Sequence, residues 1–159
     1  MSGIEQRFAL LLHRSAAVWR AKLDERLRPW GMSYTTWRTL WILRTSEDLH
    51  NQSSLATRLG IETPTLVRIL DRMEALGLLQ RTADPADRRQ KHVEITARGL
   101  RLSDEMEVEV VSLRKQIITG LGEEELARCV TLLERIIDNA GDSSQVACVD
   151  VAHPIRRPE

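Results

Sequence analysis

The feature that most constrains this chain is a change of hydrophobic period at Gly77. Before it, apolar residues recur every three or four positions, the spacing of helices buried along one stripe. After it come two runs too short for helices, 78–82 and 92–95, on either side of a polar stretch, 83–91. Those runs predict two strands of a hairpin with a long tip. Upstream, Ile4, Phe8, Leu11, Leu12, Val18, Trp19, Leu23 and Leu27 predict one long amphipathic helix, stopped by Pro29 and Gly31. Ser33 is placed to cap a second helix through Trp37, Leu40, Trp41 and Leu43, which the polar stretch 45–52 interrupts. A short helical pattern over 54–61 follows. Then Thr63 as N-cap, Pro64 at the first helical position and Gly77 beyond the end frame a helix through Leu66, Val67, Ile69, Leu70 and Met73. Beyond the hairpin, Thr96 opens a further long helix through Leu100, Met106, Val110 and Leu113, and 123–139 predicts a last one.

Composition sets the class around this pattern. The chain has 159 residues, 42% hydrophobic and 29% charged, which suits one globular unit and excludes a disordered chain. No apolar run approaches the ~18 residues of a membrane span and no signal-like block opens the chain, so a cytoplasmic protein without membrane contact is expected. Two cysteines, Cys129 and Cys148, make no disulfide framework, and four scattered histidines give no metal-ligand spacing, so neither metal nor cofactor is expected. The formal charge is zero, yet residues 1–98 hold 16 basic and 11 acidic side chains and the remainder 7 and 12. Nucleic-acid binding depends on where positive charge lies, so the neutral sum does not argue against a polyanion.

Two short helices joined at Gly60 and followed by a hairpin are the parts of a winged helix-turn-helix. Ala56 permits close crossing of the two helices, Gly60 permits the turn, and Leu55, Leu59, Leu66 and Leu70 lock the pair. Thr63, Thr65, Arg68 and Arg72 are left as the outward set of the second helix. Hydroxyls and guanidinium groups near a helix N-terminus suit the major groove, where Arg makes two bonds to guanine. The ordinary alternative is a solvated face on which the arginines meet Asp71 and Glu74. At the hairpin tip, Arg88, Arg89 and Lys91, with Asp87 to brace them, suit a minor-groove contact, against the alternative of a solvated charged turn.

The segments 60–71 (GIETPTLVRILD), 76–81 (LGLLQR), 87–89 (DRR) and 95–99 (ITARG) together resemble the MarR family of bacterial transcription regulators, and within it the SlyA-like branch. The likeness runs from about Phe8 to Asn139. It implies a mainly α fold with a small β-hairpin wing, a winged helix-turn-helix at 31–96 and a helical dimerisation region from 1–30 and 97–140. Residues 141–159 form a C-terminal tail outside the likeness, expected to be mobile. It also implies an obligate homodimer, with Phe8, Leu11, Leu12, Leu133, Ile136 and Ile137 among the interface residues, that reads a pseudo-palindromic operator in double-stranded DNA. Pro64, Thr65 and Arg68 would enter the major groove, Arg89 the minor groove, and Asp87 would orient the wing arginines.

Members of the family often release DNA on binding a small aromatic acid between the dimer helices and the winged domain. Arg14, Arg20, Thr36, Trp37 and Trp41 are the residues expected to supply a cation, a hydroxyl and aromatic walls for one, although tryptophans at helical spacing more often serve a core. Catalysis is not expected, since no phosphate-binding glycine loop, nucleophile elbow or paired metal motif occurs. Two other readings stay open: a winged-helix dimer acting as a protein-interaction adaptor, and a thiol redox sensor using Cys129 or Cys148.

Overall fold

The computed structural model describes residues 3–84 and 91–141. Helix α1 (Gly3–Leu27) runs into a short 3-10 turn (Arg28–Trp30) and then α2 (Tyr34–Thr45). Strand β1 (His50–Asn51), α3 (Gln52–Leu59), α4 (Thr63–Ala75), β2 (Leu79–Ala83) and β3 (Lys91–Ile95) follow, and α5 (Ala97–Ile117) and α6 (Glu123–Asn139) complete it. The fold is mainly α with one small antiparallel sheet, as the sequence pattern predicts.

Local chemistry places the boundaries. Ser33 and Thr36 make a reciprocal capping box: the Thr36 amide donates to Ser33 Oγ at 3.3 Å and the Ser33 amide to Thr36 Oγ1 at 2.6 Å. Asn51 and Ser54 repeat the device at the start of α3. Gly60 turns the chain at φ 66°, a left-handed conformation that costs glycine nothing. The N-cap of α4 is Glu62, so Thr63 and not Pro64 is the first helical residue. The amides of the first positions have no intrahelical acceptor, so proline fits at either and its presence does not fix the start. Thr96 caps α5 as expected, its hydroxyl accepting from the Gly99 amide at 3.1 Å. Gly99 itself lies so close to the Leu78 carbonyl oxygen that any Cβ would collide with it, which seats α5 against the base of the wing.

The sheet has three strands in the order β1-β3-β2, one more than the hairpin that the pattern predicts. His50 pairs with Val93, and Leu79 with Ile95 at the far edge. A two-residue strand has no period to read, and β3 rather than its own sequence makes it a strand.

One core joins the two halves of the chain. Leu55, Leu66, Leu70 and Met73 from α3 and α4 are fully buried, as are Leu40, Leu79 and Val93, while Leu23, Leu27, Met106, Val110 and Leu113 extend the cluster along α1 and α5. Leu59 is only half-buried. The ends behave differently. Phe8, Leu11, Val130 and Leu133 are exposed, Leu12, Ile136 and Ile137 half-buried, and no residue of α6 is fully buried. Among the described residues, no helix is long and apolar enough to cross a membrane.

Candidate nucleic-acid interface

Helix α4 sinks Leu66, Leu70 and Met73 into the core and leaves Thr63, Pro64, Thr65, Arg68, Asp71 and Arg72 exposed on its other face. The 3.6 period therefore separates the two sets of residues as the sequence pattern requires. Arg68 makes no ion pair or hydrogen bond among the described residues. Arg72 behaves differently, because its Nη2 donates to the Gly31 carbonyl at 3.0 Å and so ties α4 to the turn after α1. The two arginines that share a face by spacing thus differ in commitment.

The acids beside them are engaged elsewhere. Arg81 on β2 reaches back to α4, with Nη1 at 2.6 Å from Glu74 and Nη2 at 2.7 Å from Asp71. Asp71 and Glu74 consequently meet Arg81 and not Arg68 or Arg72. Sequence reasoning passed over this residue. Its signal is an arginine two positions after the buried Leu79, on the inward register of a strand, following an acidic pair spaced one helical turn apart. In the wing, Lys91 is exposed at the open end of β3. Asp87, Arg88 and Arg89 lie outside the described residues. Asp84 Oδ2 and His92 Nε2 are 2.8 Å apart, joining the residue after β2 to β3.

His50 joins α3 to the sheet from a buried position. Its Nε2 is 3.3 Å from Arg58 Nη1, its Nδ1 3.4 Å from Ser54 Oγ, and Arg58 also donates to Ser46 Oγ. Burial first, and the Arg58 charge second, hold the imidazole below its usual pKa, with Asp48 opposing. His50 is therefore neutral, accepting from Arg58 through Nε2.

The residues expected to form an effector pocket, Arg14, Arg20, Thr36, Trp37 and Trp41, line neither of two clefts found among the described residues. Thr36 is buried and its hydroxyl is committed to the Ser33 cap. Trp37 is buried, with Nε1 unpartnered, and the cation over its ring is Arg114 of α5, at 5.8 Å, and neither Arg14 nor Arg20. Arg20 lies 5.8 Å from the Tyr34 ring, Arg14 is exposed, and Trp41 is half-buried. Spacing within α1 and α2 contains no information on a partner 77 residues further along, which is why Arg114 escaped the sequence reading. A cleft of about 590 Å³ opens instead where the turn after α1 meets the start of α5. Met32, Leu78 and Leu102 wall it, Arg98 and Arg101 edge it, and Trp30 donates to Glu105 at 3.1 Å beside it. Cys129 is a free, exposed thiol, Cys148 lies outside the described residues, and no group of three metal-ligating side chains occurs among those described.

Comparison with known proteins gives this geometry a family. The MarR family model matches residues 32–91, the span from the residue before the cap of α2 to the first residue of β3. The solved structure of transcriptional regulator PA3341 is 39% identical, with a TM-score of 0.77, covering 84% of this chain and 98% of that one. AbsC, a MarR family transcriptional regulator from Streptomyces coelicolor, shares the fold at 24% identity and TM-score 0.79, over 89% of this chain and 97% of its own. CouR from Rhodococcus jostii RHA1, solved bound to p-coumaroyl-CoA, does so at 24% identity and TM-score 0.74, over 86% and 95%. With the family model lying on the winged helix-turn-helix and a 39%-identical regulator matched over nearly its whole length, the chain belongs to the MarR family of transcriptional regulators.

Proposed function

We propose that this regulator acts as a cytoplasmic homodimer that binds a pseudo-palindromic operator in double-stranded DNA. One observation carries the reading: Arg68 stands exposed on the open face of α4 with no bond to any other described residue, while the stripe behind it is fully buried. A guanidinium held on a rigid helix with its donors free is what bidentate reading of guanine requires. Thr63, Pro64 and Thr65 bring the first turn of α4 to the groove, and Lys91 with the wing residues Asp87, Arg88 and Arg89 supplies the flanking contact. Arg72 joins from the same face with part of its fork already bound to Gly31.

Dimerisation rests on the apolar residues that α1 and α6 leave in water, among them Phe8, Leu11, Val130 and Leu133. On this reading 1–30 and 97–140 assemble the dimer and 31–96 reads DNA. The assignment is tested by selecting bound sequences from random duplexes and measuring the recovered site by salt-dependent anisotropy. Affinity that falls with salt and exceeds that for scrambled duplex is the expected result. Absence of binding to any duplex would leave the protein-interaction adaptor as the reading.

The effector we infer is a small anion with an apolar body. The cleft beside Arg98 and Arg101 offers two cations and aliphatic walls, and Arg114 over Trp37 offers a second place where a cation meets a flat ring. CouR, of the same fold, was solved with p-coumaroyl-CoA, a larger ligand that likewise joins an aromatic group to anionic ones, here the coenzyme's phosphates. Titrating salicylate while following tryptophan fluorescence, with and without operator, tests the coupling. By linkage, operator must weaken salicylate by the factor by which salicylate weakens operator.

A further inference from the structure

We propose that Arg81 is the positioning residue that locks the recognition helix to the wing, and that it cancels two carboxylates which α4 would otherwise present to DNA. The inference rests on the DNA-binding reading above and assigns a task to a residue that does not itself touch the duplex.

The geometry is that of a strut. Arg81 lies on β2, the strand that leads into the wing, and its side chain is only 11% exposed. Its Nη1 donates to Glu74 Oε2 at 2.6 Å and its Nη2 to Asp71 Oδ1 at 2.7 Å. Nη2 also approaches the Val67 carbonyl at 3.4 Å, and the Arg81 backbone amide donates to Glu74 Oε1 at 3.1 Å. One residue therefore grips α4 over two turns, from Val67 to Glu74. A planar guanidinium with fixed donor directions holds such a set at defined angles, which a single ammonium on a flexible stem does not. The wing strand is thereby prevented from tilting against α4 unless a largely buried guanidinium gives up two charged bonds. Since α4 and the wing read different grooves of one duplex, their mutual angle decides whether both contacts form at once.

The electrostatics point the same way. Helix α4 carries Arg68 and Arg72 against Asp71 and Glu74, a formal charge of zero on the element that faces phosphate. Arg81 pairs with both acids, so neither carboxylate within α4 stands unpaired beside its arginines. Asp71, with its side chain 60% exposed, is the acid for which this matters most.

The test uses the full-length protein, the selected operator and a scrambled duplex of equal length, read by anisotropy over a salt series. Each variant is first checked by circular dichroism and sedimentation at the assay temperature. Arg81→Lys keeps the charge and loses the fork. It is expected to weaken operator by about 5- to 100-fold, the worth of one misplaced base contact, while scrambled duplex changes by less than about twofold. Arg81→Met is expected to weaken both duplexes. Adding D71N and E74Q to it should restore scrambled-duplex binding and leave the operator preference lost. A purely structural role would lower the melting temperature and the active fraction and leave the ratio of the two affinities untouched. That ratio staying at the parental value in Arg81→Lys, or returning fully in the triple variant, overturns the assignment. Should Arg81→Lys fail to fold, Asp71→Asn in the parent breaks one arm of the strut alone. A few-fold loss of the ratio supports the proposal and an unchanged ratio overturns it. A parent that binds neither duplex refutes the DNA reading itself, visibly and before any variant is compared, and this inference with it.

Discussion

Helices α4 and α6 are both amphipathic, yet α4 buries Leu66, Leu70 and Met73 within its own chain while α6 buries no residue fully. The difference lies in what each helix meets. Helix α4 faces α3 and β2, and its stripe closes a core to which α1, α2 and α5 also contribute. Helix α6 follows α5 through Gly120 and Gly122 and leaves Val130 and Leu133 in water, and the start of α1 does the same with Ile4 and Phe8. One hydrophobic grammar thus serves two purposes, self-sufficient packing in the winged unit and, on our reading, assembly at the ends.

The largest expected effect breaks the comparison at α6. Leu133→Glu should convert the dimer to monomer and weaken operator binding at least about 100-fold, because burying an unpaired carboxylate costs several kcal/mol and symmetry places it in the interface twice. Sedimentation and anisotropy measure both. A variant that remains dimeric with parental affinity would show that the α6 stripe is not the interface.

Truncations sharpen the contrast between the two regions. Leu70→Ala removes a fully buried side chain and should cost about 2–5 kcal/mol, a fall in Tm on the order of 10 °C that does not depend on protein concentration. Leu133→Ala should instead lower Tm through the association equilibrium, so that its effect shrinks as protein concentration rises. Identical concentration dependence in the two variants would show that the winged unit does not fold without its partner, so that packing and assembly are one equilibrium.

Within α4, Arg68 and Arg72 give a smaller and more pointed comparison. Arg68→Ala should cost about 1–3 kcal/mol on operator, relax selectivity at one symmetric pair of positions and leave Tm unchanged. Arg72→Ala loses the bond to Gly31 and should lower stability by about 0.5–1.5 kcal/mol, with the lesser effect on DNA. Equal losses on DNA and equal Tm values would show that the bond to Gly31 does not distinguish them.

These contrasts also mark how far the sequence was legible. Periods of 3.6, capping residues and the glycines at 60 and 77 announced each α-helix among the described residues and both strands of the hairpin, because each signal is local. Ser33 and Thr96 cap as their positions predict. The start of α4 was misplaced by one residue because proline tolerates two positions, and β1 was invisible because β3 defines it. In the candidate site the outward set of α4 followed from spacing alone. Arg81 with Asp71 and Glu74, Arg114 over Trp37, and Arg72 with Gly31 did not. Each is a contact between elements whose relative placement is decided by packing, and an arginine stem reaches far enough to choose among several partners.

His50 offers the smallest effect and tests the winged unit alone, since nothing at the α6 end bears on it. The native state holds this imidazole neutral: it is buried, and protonating Nε2 would set a second cation 3.3 Å from Arg58. In the unfolded chain the same group titrates near its ordinary 6.5. The folded value lies lower, so the unfolded state binds more protons as pH falls, and the contribution of His50 to stability must decline. It is complete above the unfolded pKa and is lost as pH drops from there through the folded value. Melting temperatures at pH 7.5 and 5.5 should accordingly fall more for the parent than for His50→Gln, whose amide keeps an acceptor for Arg58 without a titratable site. Comparison with the variant isolates His50 from His92, which meets Asp84 in the same sheet. An acid-induced fall of the same size in both proteins would place the origin elsewhere. A parent that gains stability relative to the variant at pH 5.5 would mean that His50 is charged in the fold, and the hydrogen bond from Arg58 would have to be abandoned.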